Sequence, residues 1–411
     1  MSPGRADVAV VGAGAAGLLA AAFAAGDGRR TVLLERTKDG GRKILISGGG
    51  RCNILPSEVE PEWFVTDSSP HSLRNILRSW PLAAQRRFFE EDLGIPLALE
   101  AESGKLFPVT NRARDVRDRL VAHARERGAE LRFGSALTGL ERTGDGWLLR
   151  LEGGEAMASR TVIIATGGLS VPNTGSDGTG LSLLEELGHQ VHPTYPALTP
   201  LTSNVTRWTE LSGVSLDALL TAPPESPAYS RRQGLLFTHR GYSGPAVLNI
   251  SHLFTRPRAG SPPSLLAQWG PLDRAAWGAE LGAGGRAQVG TVIRRHLPER
   301  LMLALAETAG VPADRTLAQL RREEREALTT ALTALPLPVT GSEGYRKAEV
   351  TGGGVALSEI DPVTMESRRA PGLFLCGEVL DAFGPIGGFN FLWAWATGRA
   401  AGRGARHHLT T

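Results

Sequence analysis

Cysteine is nearly absent from this chain: its 411 residues hold only Cys52 and Cys376. Two thiols cannot build a disulfide framework, which excludes the disulfide-stapled secreted class and fits a reducing, cytoplasmic location. Lysine is scarce too, confined to positions 38, 43, 105 and 347 against 41 arginines. That bias reads as a trait of overall composition, and a net charge of +3 permits an anionic partner without demanding one. Metal-ligand spacing is missing: His189 and His192 have no cysteine or carboxylate pair to complete a site, so no metal is expected. There is no Gly-x-Ser-x-Gly nucleophile elbow. Membrane-like segments are missing too, the one stretch that could mislead being the 19 charge-free residues Val8–Gly26. Glycines break that run into a short β-branched segment and an alanine-rich helix, so neither a membrane span nor a cleaved leader is expected.

What the chain does have is glycine, 51 residues of it, with no triplet period. Apolar residues at 41% and charged residues at 21% are those of a globular protein, and the length suits two or three domains. Residues 7–35 read as strand, glycine turn, helix and second strand. The stretch 36–56 reads as a glycine-rich loop. Helical patterns follow at about 70–92 and 112–127, then a strand at Glu130–Phe133. A three-stranded meander is expected over 135–158, and a buried strand at Arg160–Ala165. From 193 prolines recur and short apolar runs alternate with turns to about 270. Residues 271–335 are helical, and the charged run Arg321–Glu326 is a solvated helix face. The chain closes on the strand Gly372–Cys376 and a helix at about 388–402, in which Trp393 and Trp395 are packing residues.

Three stretches carry chemistry. Gly12-Ala-Gly-Ala-Ala-Gly17 follows a strand and opens a helix, as a dinucleotide pyrophosphate site requires. Glu35, at the end of the next strand, is placed to bind both hydroxyls of a ribose. The second stretch, Gly40–Asn53, sets glycines around Ile44-Leu-Ile46 and three basic side chains, Arg42, Lys43 and Arg51. Such a backbone can lie against a flat anionic cofactor. The third runs from Gly377-Glu-Val-Leu-Asp381 to Gly387-Gly-Phe-Asn390, where a glycine pair opens a helix whose N-terminus can stabilise negative charge.

With Ala165-Thr-Gly-Gly-Leu-Ser170, Asn173–Ser176, Thr351-Gly-Gly-Gly-Val355 and Thr364–Ser367, these strings resemble the HI0933-like family of flavoproteins over nearly the full length. The sequence departs from the family pattern at Ile54-Leu-Pro56, at Ala382–Ile386 and at Phe389, where tyrosine is usual. The resemblance implies an α/β architecture: a glutathione-reductase-like Rossmann FAD domain with an inserted β-barrel and a small helical domain. The expected boundaries are 1–192 and 346–411 for the FAD domain. The β-rich insertion takes 193–270 with a return strand near 336–345, and the helical insertion takes 271–335. Expected FAD contacts are Gly12, Ala13, Gly14, Ala15, Ala16 and Gly17, then Glu35, Arg36, Arg42 and Lys43. Ser47, Gly48, Gly49, Arg51, Cys52, Asn53 and Leu137 follow. Thr166, Gly167, Gly168, Gly377, Glu378, Asp381, Gly387, Gly388, Phe389 and Asn390 complete the set, with Asp381 or Glu378 facing the ribityl hydroxyls.

The expected activity is that of an FAD-dependent oxidoreductase that reduces electron-poor C=C bonds through flavin N5, with NAD(P)H as a transient reductant. Cys52 is the candidate proton donor or flavin nucleophile, its thiol expected to ionise readily beside Arg51. A small molecule is the favoured substrate. The alternatives are a ribosomal RNA dihydrouridine synthase-like enzyme, an aminoacetone-type amine oxidase, and a flavin-binding protein without turnover. Neither a membrane nor an obligate protein partner is expected.

Overall fold

The apolar run Ala6–Val11 is a strand, and Thr31–Glu35 pairs parallel to it with Val8 opposite Thr31 and Val11 opposite Leu34. The computed structural model that shows this describes residues 5–225 and 229–410. Glu130–Phe133 adds a parallel strand outside Thr31–Glu35, and Ala156–Ile164 lies parallel on the other side of Ala6–Val11. Ala156–Ile164 is one continuous strand where the sequence suggests two. Its first half pairs antiparallel with Gly146–Leu151, which pairs with Leu137–Thr143. Its second half takes Leu373–Leu375 in parallel. The meander is thus grafted onto the parallel sheet by a strand that changes partners midway.

Strands this apolar need cover on both faces. The helix Ala15–Ala24 is clad by the C-terminal helix Phe389–His408, which runs past the expected end at 402. A Cβ on Gly398 would stand 2.4 Å from the Ala16 carbonyl oxygen, and one on Gly402 2.4 Å from that of Ala20. These glycines lie four apart on one helix face, so the two backbones approach as only glycine allows.

Two local expectations are corrected. The helix over 70–92 is split into Pro70–Ser79, Leu82–Arg87 and a wide π-helical turn Phe88–Asp92. Pro81 causes the split, since it cannot donate to the helix ladder and disfavours helical geometry at Trp80. The loop 36–56 contains a short helix, Arg42–Ile46, and a tight turn through Ser47–Gly50. Ile44 is buried and anchors the helix, whereas Ile46 is 55% exposed.

The chain divides into two units: residues up to Tyr195 with those from Glu349 onward, and Pro196–Ala348. The second unit holds a seven-stranded sheet. Its order is Leu335–Leu337, Leu265–Trp269, Ser215–Thr221, Gln233–Thr238, Gly241–Ser243, Leu201–Thr202 and Gly341–Ser342. Its outermost strands are joined by residues 338–340, a link of about 14 Å at full stretch, so the sheet must curl until its edges meet. The helices Arg274–Gly282, Val289–Ile293, Glu299–Thr308 and Arg322–Thr333 share one core with this sheet, from Leu220, Phe237 and Trp269 to Trp277, Leu301 and Leu328. Sheet and helices, which the sequence divides at 270, are therefore one packed body.

Candidate functional site

Gly12 has φ of 102°, and a Cβ there would stand 2.5 Å from the Ala165 carbonyl oxygen. A Cβ on Gly17 would stand 1.8 Å from the Gly12 carbonyl oxygen. Both glycines are required by the turn and by helix–strand packing. Gly14 differs: its φ of −75° suits any residue, and nothing lies within 4 Å of where its Cβ would be. No protein contact asks for glycine there, whereas a diphosphate on the helix N-terminus would. The helix Ala15–Ala24 has no side-chain cap and no acid in its first turn, so its leading N–H groups face outward with their dipole intact.

Glu35 is fixed beside this turn. Its Oε2 accepts from the Ala13 N–H at 2.7 Å, and its Oε1 accepts from the Thr37 N–H at 2.8 Å and the Thr37 hydroxyl at 2.7 Å. Its carbonyl accepts from the Ser135 N–H, which brings the start of Leu137–Thr143 to the same strand end. The Gly41 N–H donates to the Ala13 carbonyl, tying the second motif to the first.

The second and third motifs meet in one partly buried knot. Lys43 Nζ donates to Glu378 Oε2 at 2.7 Å and to Ser170 Oγ at 2.6 Å. Glu378 Oε1 accepts from Ser170 Oγ at 2.7 Å and from the Thr351 N–H at 2.9 Å. Thr351 Oγ1 in turn accepts from the N–H groups of Leu169 and Ser170, which shapes the turn after Thr166-Gly-Gly168. Burial opposes the charge on Glu378, but Lys43 and the surrounding donors outweigh it and hold the carboxyl below its usual range. Lys43 and Glu378, pointed at the cofactor by the sequence, hold each other and with Ser170 and Thr351 join four segments of the chain.

Asp381 is corrected in the same way. It is 1% exposed, and its Oδ2 accepts from Thr66 Oγ1, the Asp67 N–H and Ser68 Oγ at 2.7–2.9 Å. His192 Nε2 lies 3.7 Å from that oxygen. The carboxylate anchors residues 66–68 in place of a ribityl chain. Asn390 likewise pins the preceding loop, its Oδ1 accepting from the Gly384 N–H and its Nδ2 donating to the Gly384 carbonyl. Phe389 is buried edge-on to Trp63 and Phe64. Trp393 and Trp395 pack in the core and donate to the carbonyls of Gly377 and Ile54.

The other basic side chains also have protein partners. Arg51 lies 4.0 Å over the Phe107 ring and pairs with Glu100 at 3.0 Å. Arg36 pairs with Asp177, and Arg42 Nε with Asp39 Oδ1 at 2.8 Å. Ser47 Oγ donates to the Ile44 carbonyl. Cys52 overturns its expectation most clearly. It is fully buried in a left-handed conformation, φ 62°, and burial pushes its thiol up to about 12, a Ser47 contact offsetting this only in part. With Arg51 turned to Glu100, no electropositive patch activates the thiol, and Cys52 is a packing residue.

Two buried polar atoms at the site have no hydrogen-bond partner among the described residues: Thr166 Oγ1 and Asn53 Oδ1. The second stands 3.0 Å from where a Cβ on Gly388 would be, at the head of Phe389–His408, a helix with no side-chain cap. Orphaned groups of this kind call for a partner from outside the chain. Together with the open position at Gly14, they fit an extended dinucleotide running from Glu35 to Gly388. Thr66, Ser68 and Ser170 also belong to the site's framework. They were missed as site residues because no local pattern marks a partner hundreds of residues away.

A glycine turn that opens an uncapped helix, a strand-end carboxylate beside it and an uncapped helix beyond the sheet fit the FAD of an FAD-dependent oxidoreductase. The chain belongs to the HI0933-like family, whose Rossmann-domain model matches residues 6–404. It is 35% identical over 398 residues to the ribosomal RNA dihydrouridine synthase of Escherichia coli strain K12, covering 96% of each chain. It is 30% identical over 407 residues to the 3-dehydro-bile acid delta(4,6)-reductase of Clostridium scindens, covering 97% of this chain and 98% of that one. Among solved structures, the 3-ketosteroid-delta4-(5alpha)-dehydrogenase of Rhodococcus jostii RHA1 shares the fold at a TM-score of 0.51 and 16% identity, over 98% of this chain and 97% of that one. Among the described residues no helix is long and apolar enough to cross a membrane.

Proposed function

We propose that this oxidoreductase saturates a C=C bond conjugated with a carbonyl, and that the bond is the C5=C6 bond of a uridine in ribosomal RNA. One observation carries the reaction type. The two relatives, matched over at least 96% of this chain, are named for reductions of this one kind of bond. In uracil the double bond is conjugated with C4=O, and in a 3-dehydro bile acid with the C3 ketone. FAD, when bound and reduced, would supply the hydride at N5, with a proton from solvent completing the addition, and reduced nicotinamide dinucleotide is the proposed electron source. This chain's part is to seat the pyrophosphate on Ala15–Ala24, the ribose on Glu35, and the ring near Asn53 and Gly388.

The choice of RNA, against the small enone that the sequence alone favours, is supported by charge. Residues 196–348 carry 17 Lys and Arg against 12 Asp and Glu, while the rest of the chain carries 28 against 30. The whole basic excess belongs to the second unit, as a polyanionic substrate would require. The test is anaerobic incubation of the reduced holoprotein with ribosomal RNA lacking dihydrouridine, followed by mass analysis of nucleosides. A gain of two mass units on one uridine, at a rate falling steeply with salt, is expected. Salt-insensitive reduction of small enones with untouched RNA would return the assignment to a small substrate.

A further inference from the structure

Lysine is so rare here that its placement is informative. Only four lysines stand among 45 basic residues, and two of them, Lys43 and Lys105, stand beside the motifs of this site. Lys43 is the knot described above. Lys105 has no assigned role. It opens the strand Lys105–Pro108, held opposite Pro56 and Glu100 by the pairing of its neighbours on both sides. From there its side chain reaches the glycine turn that heads the C-terminal helix: its Cε is 3.9 Å from where a Cβ on Gly387 would be. The next residue, Gly388, adjoins the orphaned Asn53 Oδ1, which belongs to a residue only 8% exposed. A cation, a helix N-terminus and an unpartnered buried amide thus converge from three separate segments. Glu100 and Glu349 are the carboxyl groups that feel the Lys105 charge. Glu100 is already bonded to Arg51 and Ser103, and Lys105 makes no ion pair within 4.0 Å among the described residues.

We propose that Lys105 presents its ammonium to the pyrimidine edge of the bound flavin and balances the negative charge the ring gains on reduction. This rests on the flavin reading of the site. An ammonium and a helix N-terminus on one edge favour the electron-rich ring over the neutral one, as fixed donors favour any developing anion.

Sulfite tests this without turnover. It adds its sulfur lone pair to flavin N5 and moves an electron pair onto the N1–C2=O edge, so its affinity reports how well that edge tolerates negative charge. Holoprotein would be prepared as wild type, Lys105→Met, Lys105→Gln and Lys105→Arg, with FAD content measured by absorbance and excess FAD present. The neutral variants should keep FAD and bind sulfite about tenfold or more weakly, while Lys105→Arg stays within about threefold of wild type. Neutral variants that bind sulfite like wild type at full FAD content overturn the proposal and leave the flavin reading intact. The proposal also fails if Lys105→Arg is as weak as Lys105→Met, or if wild-type holoprotein binds no sulfite. Wild-type protein that takes up no FAD overturns the flavin reading, and the proposal with it.

Discussion

At the scale of single residues, three glycines of one motif do different work. Gly12 and Gly17 answer to the protein's own backbone, and Gly14 to nothing in the protein. Gly17→Ala should therefore destabilise the fold by about 3 kcal/mol or more, since the clashing atom is a backbone carbonyl that cannot turn away. Gly14→Val should leave the urea midpoint near wild type and abolish bound FAD. Flavin absorbance and a denaturation curve on each variant separate the two effects. A Gly14→Val protein that keeps its full flavin spectrum would remove the pyrophosphate from this turn. The spacing of the motif was legible in the sequence; the division of labour within it was not, because it depends on what lies beyond each Cβ.

At the scale of elements, the Lys43–Glu378 pair decides how the motifs assemble. It joins residues 335 apart in sequence, so no window along the chain reveals it. The Glu378 carboxyl is held below its usual range in the fold, so the pair's contribution to stability is fully present above the unfolded pKa of about 4.3 and is lost as pH falls through the lower folded value. Urea unfolding of wild type should weaken on acidification across that window. Glu378→Gln should lack this part of the acid slope and be about 1–3 kcal/mol less stable at pH 7, because the partly buried Lys43 keeps its charge without a counter-charge. Equal acid slopes in the two proteins would show that other carboxylates carry the effect. The same non-locality misled the sequence reading of Arg51, Asp381 and Asn390. Their residue types suit a cofactor, but Glu100, the 66–68 turn and the Gly384 loop reach them first. Pro81 is the opposite case: its break of the 70–92 helix follows from local chemistry and was there to be read.

At the scale of the whole molecule, residues 196–348 have a core of their own, shared by a curled sheet and the helices packed on it. Expressed alone, this unit should unfold in one cooperative transition, with near-ultraviolet circular dichroism from the buried Trp208, Trp269 and Trp277. Separate transitions for its sheet and helices would contradict the single core. The sequence by itself determined the parallel αβ core, the glycine turn with the carboxylate beside it, and the interruption near residue 195. These are written in periods of two and 3.6 residues and in glycines at fixed offsets, which act over a few turns of chain. Only the tertiary structure decided that Cys52 is sealed in the interior, that Lys43 and Glu378 bind each other, and that Lys105 and Asn53 flank neighbouring glycines at the head of the C-terminal helix. Burial and charge pairing depend on distance in space, and the folded chain brings together groups that the sequence keeps hundreds of residues apart.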